Sequence, residues 1–190
     1  MVALNSTEAP ARTVQRILAA ARFAAEKHAG QKRKGLAAEP YINHLIEVAE
    51  LIAASSDVLD VNLVMAGFLH DTIEDTVVTA TELERLFGAD VAALVVEATD
   101  DKSLPKETRK ALQVKHAPHK SPRAQILKLA DKISNLRSML ASPPADWSRE
   151  RRRQYCEWAQ QVVSGFTSPN GLLQAEFDKV YAELKEATKP

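Results

Sequence analysis

The stretch LVMAGFLHDTIEDT, residues 63–76, decides how the chain folds. Leu63 to Leu69 are apolar with no polar face, the pattern of a helix buried all round at the centre of a bundle. His70, Asp71, Glu74 and Asp75 follow at once. Unpaired acids are costly at the end of a buried helix, so this much negative charge needs a partner. On a helix over about 60–75, His70 stacks on Glu74 and Asp71 on Asp75, making two columns on neighbouring faces. Like charges four apart cost about 0.2–0.5 kcal/mol on an exposed helix and more where water is excluded. A divalent cation reverses that sign, and His70 and Asp71 can converge on one ion in the groove between them.

Helical periodicity runs outward from this segment in both directions. Val14, Ile17, Leu18, Ala21, Ala24 and Ala25 give an apolar face to a first helix ending near Gly30. A second covers 40–54, with Pro40 at its start and Ile42, Leu45, Ile46, Ala49 and Ile52 on one side. Thr79 to Glu82 has capping-box spacing and opens a helix through Leu83 and Leu86 to Gly88, with another over 89–98. Pro105 begins a helix to about His116, and Ser121-Pro122 caps one over 121–140 whose buried face is Ile126, Leu127, Ala130, Ile133 and Leu136. Two more are expected over about 147–165 and from Pro169 to Lys185. No period-two segment, repeat or low-complexity tract is present, and no break reads as a domain boundary. The expectation is one all-α domain, a helical bundle over 1–190.

The 190 residues, 45% hydrophobic, suffice for one well-buried core. Twenty-five basic and 25 acidic residues cancel, which argues against a protein that coats nucleic acid. No apolar run approaches the roughly 20 residues a membrane-spanning helix needs. MVALNSTEAPARTVQ lacks the pattern of a secretion signal, and the single Cys156 excludes an internal disulfide and a thiolate zinc cluster. A soluble cytoplasmic protein is expected, with no nucleic acid or membrane partner.

Two further helices bring ligand types to the interior, one where the apolar pattern would tolerate Leu and one flanked by core-facing positions. His44 stands in Tyr-Ile-Asn-His, and Asp131 in Leu-Ala-Asp-Lys-Ile-Ser-Asn-Leu. Alone, His44 reads as a packed core histidine and Asp131 as the partner of a nearby lysine. Together, His44, His70, Asp71 and Asp131 read as a metal site. Two nitrogens and two carboxylates suit an octahedral ion such as Mn²⁺ with water in the open positions.

These residues resemble the metal signature of the HD phosphohydrolase superfamily. More narrowly, GFLHDTIEDT, KRKGLAAEPYINH, FGADVAALVVEATDDKSLPK and KLADKISNLRSM resemble the hydrolase domain of RelA/SpoT-type alarmone enzymes. The similarity runs from about 23 to 163 and is greatest to the stand-alone small alarmone hydrolases of the Mesh type. Those consist of this domain alone, and this chain has no room for a synthetase or regulatory region. The resemblance implies an HD-type bundle, monomeric or dimeric, that acts in the stringent response. It would hydrolyse ppGpp and pppGpp at the 3′-pyrophosphate to GDP or GTP plus pyrophosphate, normally with manganese.

Residue by residue, Glu74 and Asp75 match the family's Glu-Asp pair, which orients the attacking water and moves its proton; which of the two is the base stays open. Arg33, Lys34 and Lys106 match positions at the nucleotide and its phosphates. Asn135, four after Asp131, could hydrogen-bond ribose or phosphate. Arg151 and Tyr155, also four apart, match substrate contacts. Cys156 reads as a buried small hydrophobe, and His28, His116 and His119 as surface or packing residues. Gly35 to Glu39 is more apolar than expected, which bears on base recognition. The rival readings are another nucleotide phosphohydrolase, such as a 2′-phosphatase of NADPH, and a non-catalytic nucleotide sensor.

Overall fold

The computed structural model describes residues 9–168 and 170–189. Pro169, expected to open the last helix, and the first eight residues lie outside the described ones. Ten α-helices and one 3-10 turn follow among the described residues. They are α1 (Pro10–Lys27), α2 (Ile42–Ala54), α3 (Val61–Leu69), α4 (Thr72–Asp75), α5 (Ala80–Phe87), α6 (Ala89–Ala98), α7 (Lys106–His116), the turn Ala117–His119, α8 (Pro122–Ala141), α9 (Arg149–Ser164) and α10 (Gly171–Ala187). No strand forms among the described residues; one isolated bridge, Lys32 to Pro40, closes the loop after α1.

Side chains set the starts. Asp60 accepts from Leu63 N, Thr79 from Glu82 N, Ser121 from Ala124 N, Ser148 from Arg151 N and Asn170 from Leu172 N and Leu173 N. Every residue of α3 from Leu63 to Leu69 is buried, and α1, α2, α6 and α8 surround it. The second long interior element is α8, which packs against α2, α6, α9 and α10. A Cβ at Gly67 would come within 2.9 Å of Ile52 Cδ1 and 3.0 Å of Ala49 Cα, so the glycine is what lets α2 and α3 close together.

Three details depart from the periodicity. The helix expected over 60–75 breaks: α3 ends at Leu69 and α4 resumes at Thr72. Thr72 Oγ1 donates to Leu69 O at 2.7 Å, taking the carbonyl a continuous helix offers to residue 73, and Asp71 sits near φ −97°, ψ −1°. Asp75 N donates to Asp71 O at 2.8 Å, so Asp71 and Asp75 stay one turn apart while His70 lies before the break. On α1, Ala20 and Ala24 are the fully buried residues while Val14 and Leu18 are 54% and 61% exposed. The fully buried residues of the helix are thus small, with Ile17 and Phe23 partly buried beside them and Val14 and Leu18 outside. Ile46 and Leu86 are likewise exposed.

Candidate metal centre and cleft

Four donor atoms from three parts of the bundle converge beneath one cleft. The Nε2 atoms of His44 and His70 lie 3.4 and 3.8 Å from Asp131 Oδ1. They lie 3.6 and 3.1 Å from Asp71 Oδ2. The break at His70–Asp71 turns the Asp71 carboxylate back beside the imidazole rather than along a helix face. Gly67 brings α3 onto α2, so the two rings meet edge-on at 5.2 Å between centroids.

The site accommodates a cation. Both Nε2 atoms are buried and without a hydrogen-bond partner, an expensive state for a polar atom. His70 Nδ1 lies 2.9 Å from Gly67 O. A carbonyl can only accept, so Nδ1 carries a proton, and Nε2 is the nitrogen left for a metal to take. His44, His70 and Asp131 each offer an atom within 4.8 Å of the others. Two imidazole nitrogens with carboxylate oxygens suit a divalent ion.

The charges are balanced from behind. Burial opposes ionisation of Asp71, but His70 and His44 outweigh it and hold its carboxyl well below the usual range. Burial opposes Asp131 too, outweighed first by Lys132. Lys132 Nζ stands 3.1 Å from Asp131 Oδ2 and Lys128 Nζ 4.0 Å away, while Asn135 Nδ2 donates to Oδ1 at 2.6 Å. Tyr41 Oη donates to Asp71 Oδ2 at 2.6 Å, and burial followed by that carboxylate pushes the phenol far up. Without a cation the same field holds a proton: burial lowers His70, yet Asp71 and Asp131 raise it to about 10.

Glu74 and Asp75 point to different partners. Glu74 accepts from Asp100 N at 3.2 Å and faces Arg109 at 3.5 Å. Burial, then Asp71 and Asp100, raise its carboxyl above the ordinary glutamate value. Asp75 accepts from Gln31 Nε2 at 3.0 Å and pairs with Lys102.

The cleft above has a volume of about 790 Å³. All six residues expected to meet substrate line it: Arg33, Lys34, Lys106, Asn135, Arg151 and Tyr155, together with Asp71, Glu74, Asp75 and Asp131. His44 and His70 lie beneath its floor. One wall is aromatic. Tyr155 sits between Trp147 and Trp158 at 5.7 and 5.2 Å, Arg151 and Lys106 lie over Trp147, and Lys132 and Lys110 over Trp158. In the Gly35–Glu39 loop, Leu36 is exposed. Ala37 N donates to Ser142 Oγ at 2.8 Å, and a Cβ at Gly35 would fall 2.0 Å from Ser142 O. The loop thus crosses the 142–143 segment through backbone groups and the Ser142 hydroxyl, while its apolar side chains stay exposed.

Several residues of the site escaped the sequence reading. Lys128 and Lys132 flank Asp131 on a helix that is otherwise apolar at those positions, and that was a usable signal. Tyr41, Gln31, Lys102 and Arg109 stand on loops, helix starts or polar faces that periodicity does not mark. His28 is a packing residue, as expected: it is buried, stacked on Tyr41, and bonded through Nδ1 to Gln31 Oε1 at 2.6 Å.

A family model described as HD domain matches residues 20–173. The guanosine-3′,5′-bis(diphosphate) 3′-pyrophosphohydrolase MESH1 of Xenopus tropicalis is 46% identical over 167 residues, covering 88% of this chain and 93% of that protein. Its counterpart in Homo sapiens is 47% identical over the same shares. The solved structure of a metazoan ortholog of SpoT that hydrolyzes ppGpp and plays a role in starvation responses superposes with a TM-score of 0.85. It is 39% identical and covers 94% of this chain and 98% of that one.

Proposed function

Because the chain belongs to the HD-domain family, among the MESH1-type hydrolases, we propose that it hydrolyses guanosine 3′,5′-bis(diphosphate) and its pentaphosphate at the 3′-pyrophosphate. The observation that carries this reading is the pair of buried, unpartnered imidazole nitrogens facing two carboxylates under a cleft lined by cations. His44, His70, Asp71 and Asp131 are the ligands we assign to one divalent ion, taken here as Mn²⁺. When bound, that ion supplies a nucleophilic water near neutral pH and withdraws charge from the phosphoryl oxygens.

The chain's own residues do the rest. Arg33 and Lys34 on one rim and Lys106 and Arg151 on the other grip the two diphosphate groups, which a neutral protein must meet with local charge. Tyr155, fixed between two tryptophans, and Asn135, anchored on Asp131, hold the ribose and the 3′-phosphate in register. Water adds across the bond between the 3′-oxygen and its phosphorus: pyrophosphate takes the water oxygen and GDP leaves with a 3′-hydroxyl. Glu74 takes the proton from the attacking water, a role supported by a carboxyl raised toward working pH. Asp75, tied to Lys102 and Gln31, orients that water. Lys128 and Lys132 keep Asp131 charged. No helix among the described residues is long and apolar enough to cross a membrane, in keeping with the cytoplasmic enzyme we propose.

Chromatography of the products from guanosine 3′,5′-bis(diphosphate) with Mn²⁺ tests the reading. It predicts GDP and pyrophosphate in equal amounts. Orthophosphate as the product, or unchanged nucleotide, would overturn it.

A further inference from the structure

We propose that Ser134 and Glu47 are positioning residues for the cation centre, holding His44 through a relay that ends on α10. This inference rests on the assignment of the four donors to a metal. Ser134 on α8 is fully buried. Its Oγ lies 2.8 Å from His44 Nδ1 and 2.5 Å from Glu47 Oε2.

A hydroxyl has one proton to give. A carboxylate oxygen can only accept, so that proton points at Glu47. The hydroxyl oxygen must then receive a proton from His44 Nδ1. An imidazole bonded in this way carries N–H at Nδ1 and its lone pair at Nε2, the atom 3.4 Å from Asp131 Oδ1 and 3.6 Å from Asp71 Oδ2.

His70 has its form set by a backbone carbonyl, whereas the form of His44 is set by two side chains. Glu47 is itself held. Its Oε1 accepts from Arg137 at 2.9 Å, and Arg137 donates to Glu176 on α10 at 2.8 Å. Helix α10 is thereby wired to His44 through α8 and α2. Partners of this kind on a ligating histidine fix ring orientation and basicity, and their loss typically weakens metal binding about 10–100-fold.

The test is Mn²⁺ titration calorimetry on the full chain after chelator treatment, comparing wild type with Ser134→Ala, Glu47→Gln and a control, Thr188→Val. The control removes another buried hydroxyl, one bonded to Leu184 O at 2.7 Å and far from the site in the hydrogen-bond network. The relay predicts roughly 10–100-fold weaker Mn²⁺ binding in Ser134→Ala and weakening in the same direction in Glu47→Gln. Thr188→Val should bind as wild type does. Glu47 is partly exposed, so its variant serves if Ser134→Ala does not fold.

Nitrogen NMR of histidine-labelled, Zn²⁺-loaded wild type should show His44 protonated at Nδ1. Both variants binding within twofold of wild type, or a His44 proton on Nε2, overturns the relay. If wild type takes up no Mn²⁺, the metal assignment fails and the relay falls with it. If wild type binds and the variants bind equally, the relay alone fails.

Discussion

Asp131 is a buried carboxylate that two lysines and an amide keep ionised, and replacing the nearer lysine isolates that arrangement. Lys132→Met keeps an unbranched apolar side chain and removes the ammonium, which stands 3.1 Å from Asp131 Oδ2 and 4.6 Å from the Trp158 ring centre. Breaking a buried ion pair by deleting one partner costs about 3–5 kcal/mol. Lys128 still stands 4.0 Å away and Asn135 still donates at 2.6 Å, so the lower end applies, about 3 kcal/mol. For a domain of this size that lowers the melting temperature of the metal-free protein by about 6–12 °C. A divalent cation restores the missing positive charge beside Asp131. Added Mn²⁺ should therefore raise the melting temperature of Lys132→Met more than that of wild type. Calorimetric melts in chelator and in excess Mn²⁺ measure both quantities. A metal-free variant melting within about 2 °C of wild type, or equal stabilisation of the two by Mn²⁺, would refute the charge balance described.

Other consequences are open to direct measurement. In the metal-free protein His70 is raised to about 10, above its unfolded value near 6.5. Its charge thus contributes stability that is complete below pH 6.5 and lost as pH rises toward 10. Metal uptake must expel that proton, so calorimetry in buffers of different ionisation enthalpy should find about one proton released per Mn²⁺ at pH 7–8; no release contradicts the assignment. Glu74→Gln should cut kcat by about 10²–10⁴ while leaving Mn²⁺ affinity near that of wild type, and an equal loss in both would make Glu74 part of the ligand set. Arg33→Ala should raise KM about tenfold or more at low salt, with the ratio to wild type shrinking at 0.5 M salt; a KM unchanged at both salts removes Arg33 from the phosphate rim.

The bundle, and the imidazoles and carboxylates that meet inside it, were legible because burial and chemistry disagree at so few positions. His44, His70 and Asp131 stand in or directly after apolar patterns, and an acid or imidazole there has to be answered by something else in the core. The helix starts were equally readable, since Ser121-Pro122 and Thr79 cap by local bonds that involve neighbours in sequence. What escaped was set by tertiary contact. The break at His70–Asp71 depends on the Thr72 hydroxyl competing for a carbonyl, and a buried apolar run gives no sign of it. Val14 and Leu18 have helical spacing but stay outside, while Ala20 and Ala24 are the fully buried residues of their helix. Ser134 lies in plain view in KISNLRSM, yet its meaning exists only once Glu47, 87 residues away in sequence, is beside it.

The account stands most directly on pyrophosphate release from guanosine 3′,5′-bis(diphosphate) by chelator-treated protein as Mn²⁺ is returned, with Asp71→Ala alongside. It predicts no release without metal, activity that rises to a plateau near one equivalent of tightly bound Mn²⁺, and none from Asp71→Ala at any equivalent. Undiminished release from the stripped protein, or full activity in Asp71→Ala, would contradict it.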